Sequence, residues 1–410
     1  MGKKMFLAII FCTVFTMFAG LSRAADPYVL GFITDFTGAG KTVYGPEGEG
    51  FRVYMDVVNG RGGIEGHPVK VIYEDDKTDA ARAQSVATKL ILEDRVLAIV
   101  GLGFSFTHKP IYRLATEHGL PVVCGYGCVA PVYDAIKQDC RNIFSGGMIY
   151  GAEYSTATWV ALLLGAKVWP KGTTFGSISY AVPGGRMLSA GTAKLGVERN
   201  GWKLVYHEDM PPEAVDLSPW AMKAANANPE VIFMTVSEDT FVPFLAALEK
   251  YGYKGATYIT EISTRGFLKA VDGLVKPKDN IYMNGFIELG PPLGDTPVPG
   301  HEEIAKAMRK FGHKFEWTSR HTNGWLYGRI LEEALRKAGW PCDRSTLLKA
   351  LEKTNIETEG LRAGPYRFSP TDHRGPEYGK LYRWDPNKRV MKTAVDWVTW
   401  SARDILKLGN

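Results

Sequence analysis

The chain has 410 residues, 45% of them hydrophobic, with both charge signs well represented and a formal net charge of +5. That length accommodates two ordinary domains, and the composition excludes disordered and fibrous classes. Residues 1–24 hold Lys3, Lys4 and Arg23 but no acid, so the remaining chain carries only +2. With no basic run of five or more, neither nucleic acid nor an anionic membrane surface is the expected main partner.

In chain order, MGKK forms a short basic head, MFLAIIFCTVFTMFAGL an apolar run, and Ser22-Arg23-Ala24 a small-residue cleavage site. This pattern predicts a cleaved secretory signal peptide over residues 1–24. No later segment approaches about 18 uninterrupted apolar residues, so no membrane insertion of the mature chain is expected. YVLGFIT (28–34) then reads as a strand, followed by a glycine-rich loop and a helix carrying Phe51, Tyr54, Val57 and Val58. That helix stops at NGRGGIEGHP. VKVIYEDD is the next strand, and the helix DAARAQSVATKLILED is expected to take Asp79 as its cap. VLAIVG, the loop GLGFSF, the helix THKPIYRLATEHG and the strand PVVCGYG follow.

After RNIFSGG the alternation restarts. Helices are predicted in YSTATWVALLLGA, RMLSAGTAKLGVERNG, SPWAMKAANANP and TFVPFLAALEKYG, with strands TFGSISYA, WKLVYHEDM, VIFMTVS and ATYITE between and after them. NIYMNGFIE is a further strand, two helices come next, and the stretch from GPYRFSP onward reads as short strands and turns. Short strands rich in Val, Ile, Phe and Tyr alternating with helices predict doubly wound parallel α/β sheets covered on both faces. The break near residues 144–150 divides two such units.

Four cysteines lie beyond the signal segment: Cys124, Cys128, Cys140 and Cys342. An exported chain permits disulfides. One loop disulfide is expected, with Cys128–Cys140 preferred to Cys124–Cys140. No second CxxC pair or neighbouring histidine completes a zinc set, so neither a metal nor a cofactor is expected.

In open parallel sheets, ligands bind beyond the carboxyl ends of the strands. The loops there hold Ser105, Phe106, Thr107, Tyr126, Gly127, Cys128, Tyr150, Tyr180, Asp239 and Glu261, a mixture rich in aromatics and hydroxyls. Such a set suits a small, partly apolar molecule: aromatic walls for burial and a few polar groups for orientation. Ser105 and Thr107 stand at a helix start, where free N–H groups and the positive dipole end accept a carboxylate; Thr107 serves equally as a helix cap. Glu261 at a strand end suits an ammonium group. Asp239 suits the same task or capping of the helix that starts near Phe241. His108 is expected to face solvent. No GxSxG, HExxH or Walker loop is present, and no dinucleotide fingerprint follows the first strand, so an enzyme is not expected.

The leader, the segment YVLGFITDFTGAGKTVYGPEGEG, the pairing of GRGGIEGHPV with the YEDD strand end, GLGFSFTHKP and the late GPYRFSPTDH together resemble the leucine/isoleucine/valine-type periplasmic binding proteins, type I solute-binding components of ABC importers. The resemblance spans essentially all of the mature chain. It implies a two-lobed clamshell with three crossovers, residues 25–145 and 280–350 forming the first lobe, and residues 146–279 and 351–410 the second lobe and tail. It also implies that Ser105 holds the ligand carboxylate, that Gly127 to Val129 add backbone groups, and that Glu261 receives an α-ammonium group. The implied partners are a small-molecule ligand, either an amino acid or an aromatic carboxylate, and the membrane permease of an ABC importer. Two features depart from the family pattern: SYAVPGG places Gly184 where a tyrosine is usual, and Phe104 and Phe106 flank Ser105. They extend the expected ligands to aromatic acids, amides and other small carboxylates. A sensory module on the same clamshell is the rival reading.

Overall fold

The structure, a computed structural model, describes residues 25–124, 141–146, 156–260, 267–268, 271–272, 278–375 and 378–400. The expected signal segment, residues 1–24, with its expected cleavage site at Ser22-Arg23-Ala24, lies outside that set. β1 (Tyr28–Thr34), β2 (Val69–Asp75), β3 (Ile99–Gly101), β4 (Val122–Cys124) and β5 (Ile143–Ser145) form one sheet in the order β2-β1-β3-β4-β5, every pair parallel. Between them run α1 (Lys41–Gly60), α2 (Ala80–Thr88, continued by a π-turn over Lys89–Glu93) and α3 (Ser105–Glu117). Asp79 caps α2 as expected, accepting from the Arg82 amide at 2.6 Å.

The second half of the chain repeats the plan. α4 (Thr156–Gly165), β6 (Thr174–Tyr180), α5 (Pro183–Glu198), β7 (Lys203–Met210), α6 (Ser218–Ala227), β8 (Val231–Thr235), α7 (Glu238–Lys250), β9 (Ala256–Thr260) and β10 (Ile281–Gly285) follow in order. The chain then forms α8 (Pro299–Phe311), α9 (Ser319–Ala338) and α10 (Arg344–Leu351). It closes with a small antiparallel pair, β11 (Asn355–Ile356) and β12 (Tyr366–Arg367), and the hairpin β13 (Tyr378–Asp385) and β14 (Val390–Thr399). The second sheet has the order β14-β13-β10-β9-β8-β6-β7; β13 runs antiparallel to both β10 and β14, and every other pair is parallel. The tail therefore holds two full-length strands, not only the short ones the sequence suggested.

Each sheet is covered on both faces, the condition under which parallel strands read as continuous apolar runs. Phe32, Val100 and Phe144 pack with Phe51 and Tyr54 of α1 and Trp325 and Tyr327 of α9 on one face of the first sheet. Ile33, Ile99 and Val122 pack under α2 and α3 on the other. α1 and α9 cross at backbone contact: a Cβ on Gly50 would lie 1.9 Å from the His321 carbonyl oxygen, and one on Gly324 would lie 1.8 Å from that of Glu47.

The two bodies divide the chain differently from the expected boundaries. β10 hydrogen-bonds between β9 and β13, so residues 281–285 belong to the second sheet and the return to the first body comes later. Leu351, Ile356, Leu361, Tyr366 and Phe368 belong to the first body's core, whereas residues 351 onward were expected in the second. The disulfide expectation also changes. Cys124, at the end of β4, is disulfide-bonded, while Cys342 is free. The bridge thus engages the strand-end cysteine that the preferred Cys128–Cys140 pairing left out; its partner lies outside the described residues.

Candidate functional site

Both sheets share one local order: β1 lies between β2 and β3, and β6 lies between β7 and β8. In each, successive connections leave the central strand in opposite directions, which opens a crevice beyond the carboxyl ends there. The loop after β3 and the start of α3 stand at the first crevice. Tyr180 and Ser237, ending β6 and following β8, stand at the second.

The first loop is built under conformational constraint. Gly101 has φ +92, and a Cβ there would meet Phe32 and the Ile33 carbonyl within 2.7 Å. Leu102 also adopts a positive φ, 79°, though it is fully buried; its amide donates to the Ile33 carbonyl at 2.7 Å. A non-glycine residue held there marks a turn fixed by its surroundings. Phe104 is then extended and gives no side-chain cap to α3, which begins at Ser105.

Thr107 is fully buried. Its hydroxyl donates to the Phe104 carbonyl at 2.9 Å and to Asp76 Oδ2 at 3.2 Å, so in this structure it faces inward and neither caps α3 nor opens to the crevice. His108, expected in solvent, is buried as well. Its Nε2 lies 2.9 Å from the Gly103 carbonyl and its Nδ1 lies 3.2 Å from the Tyr112 hydroxyl. Because a carbonyl can only accept, Nε2 carries the proton and Nδ1 takes the tyrosine's. The imidazole braces the turn from beneath.

Three carboxylates, Asp35, Asp75 and Asp76, come within 4.8 Å of one another beside this turn. Asp35 accepts from the Gly38 and Gly40 amides at 2.5 and 2.6 Å and from the Thr78 hydroxyl. Asp75 accepts from the Phe36 amide at 2.9 Å and the Thr37 hydroxyl at 2.5 Å. Burial, aided by the Asp35 charge, holds the Asp76 carboxyl above the usual range. These acids tie the loops after β1 and β2 to α3.

Phe106 is 45% exposed and stacks on Phe104, ring centroids 5.7 Å apart and planes 12° apart. Phe104 meets Tyr44 edge-on at 5.1 Å. Val43, Tyr44 and Phe104 pack against a cluster of the second body that includes Trp159 and Phe286, so the two bodies touch through this aromatic group.

On the second body, the Tyr180 hydroxyl lies 2.6 Å from Ser237 Oγ, donates to Thr240 at 2.7 Å and accepts from the Ser237 amide at 3.0 Å. That ties β6 to the start of α7. α7 begins at Glu238 with Ser237 as its N-terminal flank, so Asp239 stands inside the first turn, ahead of the start expected near Phe241. The structure brings Ser105, Phe106 and Thr107 together on the first body and Tyr180 and Asp239 together on the second. Tyr126, Gly127, Cys128, Val129, Tyr150 and Glu261 lie outside the described residues. Sequence reasoning passed over Tyr44 and Phe104 as a pair, because 60 positions separate them.

Two doubly wound parallel-sheet bodies, joined by three crossings of the chain, define the class: the type I periplasmic-binding-protein fold. The chain matches the periplasmic binding protein family over residues 27–389 and belongs to it. It is 22% identical over 393 residues to the Leu/Ile/Val-binding protein homolog 7 of Brucella melitensis, covering 93% of this chain and 95% of that one. Among solved structures, a branched chain amino acid ABC transporter protein of Thermus thermophilus with bound valine superposes with a TM-score of 0.78 at 15% identity, covering 94% of this chain and 100% of that one. A solute binding protein of R. palustris in complex with 4-hydroxybenzoate gives 0.73 at 16% identity, covering 91% and 97%.

Proposed function

We propose that this protein is a non-catalytic periplasmic receptor that captures a small carboxylate, foremost an amino acid with an apolar side chain, and delivers it to the permease of an ABC importer. The observation that carries the reading is the start of α3: a helix N-terminus at a crevice of the first sheet, presented by a braced turn, whose flanking residue Phe104 supplies no side-chain cap. Backbone N–H groups and the helix dipole hold a carboxylate there without a formal countercharge. Ser105 adds its hydroxyl, Gly127 to Val129 add backbone groups, and Glu261 with Asp239 offers negative charge to an ammonium group. Tyr126, Tyr150 and Tyr180 form the walls. Lobe closure expels water, so a few neutral donors offset the desolvation of the acid.

A second reading, an aromatic acid as ligand, draws support from the Phe104–Phe106 stack and its Tyr44 neighbour, a flat apolar platform next to Ser105. The Thermus and R. palustris relatives, with valine and 4-hydroxybenzoate bound, illustrate the two classes. Thermal-shift screening with amino acids and aromatic acids tests the proposal. A rise in Tm is expected with at least one class; no rise with either overturns it.

A further inference from the structure

The last paired rows of the second sheet change character toward the strand ends. In register, Phe233 of β8 pairs with Tyr258 of β9, which pairs with Tyr282 of β10: an aromatic row. Two residues further along, on the same face, Thr235 is paired with Ser179, and Asn284 with Thr260. Polar residues therefore replace aromatic ones where the strands run out into the crevice. Ser179 is satisfied within the sheet, its hydroxyl donating to the Thr235 carbonyl at 2.7 Å. Asn284 is not. It is fully buried, and neither its amide oxygen nor its amide nitrogen has a hydrogen-bond partner.

A buried carboxamide with both ends unpaired is costly, and native interiors retain such a group where something else completes it. Position says what that is. Asn284 lies opposite Leu381, and Leu381 shares a cluster with Tyr44 of the first lobe and with Phe286. The Tyr44 ring in turn meets Phe104, the residue before Ser105. Asn284 thus stands at the carboxyl end of β10, on the face that the first lobe's aromatic pair closes against.

We infer that the Asn284 side chain is a polar contact for the bound solute, supplied by the second lobe. The site then takes small carboxylates that carry a second hydrogen-bonding group, an ammonium, hydroxyl or amide, over plain apolar acids of the same shape. This inference rests on the solute-binding reading above. An acid without the second group leaves Asn284 unpaired in the closed state, and sites built to hydrogen-bond a group reject analogues that lack it.

The test is calorimetric titration of wild type and Asn284→Leu with two pairs of probes: leucine against 4-methylpentanoate, and 4-hydroxybenzoate against benzoate. Wild type is expected to bind the first member of at least one pair. Asn284→Leu is expected to weaken that member at least tenfold and its stripped partner less than twofold, with the ligand-free Tm unchanged or raised. Asn284→Ala serves the same purpose should the leucine variant not fold. Equal weakening of both members, unchanged affinity, or a ligand-free Tm lowered by several degrees in both variants overturns the inference and leaves the solute-binding reading intact. Wild type that binds neither pair overturns the substrate class; the broader screen above decides separately on the reading itself.

Discussion

Thr107 and Ser105 share one turn of α3, yet the Thr107 hydroxyl is committed to Phe104 and Asp76 while Ser105 opens the helix. Their substitutions should therefore separate. Thr107→Val is expected to lower stability by about 1 kcal/mol, read as a lower ligand-free Tm. Ser105→Ala and Glu261→Ala are each expected to weaken binding by about 1–3 kcal/mol, read by calorimetry with the solute identified in the screen. Unchanged affinity in both would remove those residues from the site. The hydroxyl-bearing turn was legible in the sequence because glycines and a following helix mark a strand exit. The inward role of Thr107 and the burial of His108 were not, since both depend on Asp76 and Gly103 being folded against them. Asn284 was invisible for a related reason: one asparagine in NIYMNG looks like an ordinary strand end until its neighbours are known.

At the scale of elements, the α1–α9 crossing depends on glycine. A methyl group on Gly324 would lie 1.8 Å from the Glu47 carbonyl oxygen, a backbone atom that no rotamer change can move aside. Gly324→Ala is expected to destabilise the protein by about 3 kcal/mol or more, measured by denaturant unfolding, because the helices must separate. A change below about 1 kcal/mol would show that the crossing is slack. α9 was hard to place from sequence because its first turns, SRHTN, are polar yet buried. Its partner helix and the aromatic residues around it bury them, which no periodicity within the helix reveals. The βα alternation of the two halves was legible throughout, since each short apolar strand is bounded by its own turn signals.

His373 connects the elements near the crossovers. Its carbonyl accepts from the Ser145 amide at 2.8 Å and its ring stacks on Phe144 at 4.0 Å. Burial lowers its pKa to about 4, with the Ile143 backbone and Asp372 only partly opposing. The folded state therefore keeps this imidazole neutral, whereas the unfolded chain takes up a proton near pH 6.5. The stability this maintains is fully present above about pH 6.5 and is lost as pH falls toward 4, up to about 3 kcal/mol. His373→Phe, which keeps a ring against Phe144, is expected to flatten the dependence of unfolding free energy on pH across that window by up to one proton. An unaltered slope would show that the histidine titrates normally.

For the whole molecule, the three passages of chain between the bodies were anticipated, but two of their positions were misplaced. β10 extends the second sheet, and residues 351–368 fold onto the first body; strand pairing and core packing, not the boundaries the resemblance implied at 280 and 351, decide where the chain crosses. Lys380 and Glu288 form a buried ion pair at 2.9 Å, joining β13 to the segment that leaves β10. The central claim is that these two bodies close on a small acid held at the start of α3. A crystal structure of the protein with a solute that raises its Tm tests this most directly. The account predicts one molecule enclosed between the two sets of strand ends, its carboxylate against the first turn of α3 and its other polar group toward Asn284. A molecule bound elsewhere, or one between the lobes with its carboxylate turned away from residue 105, would contradict it.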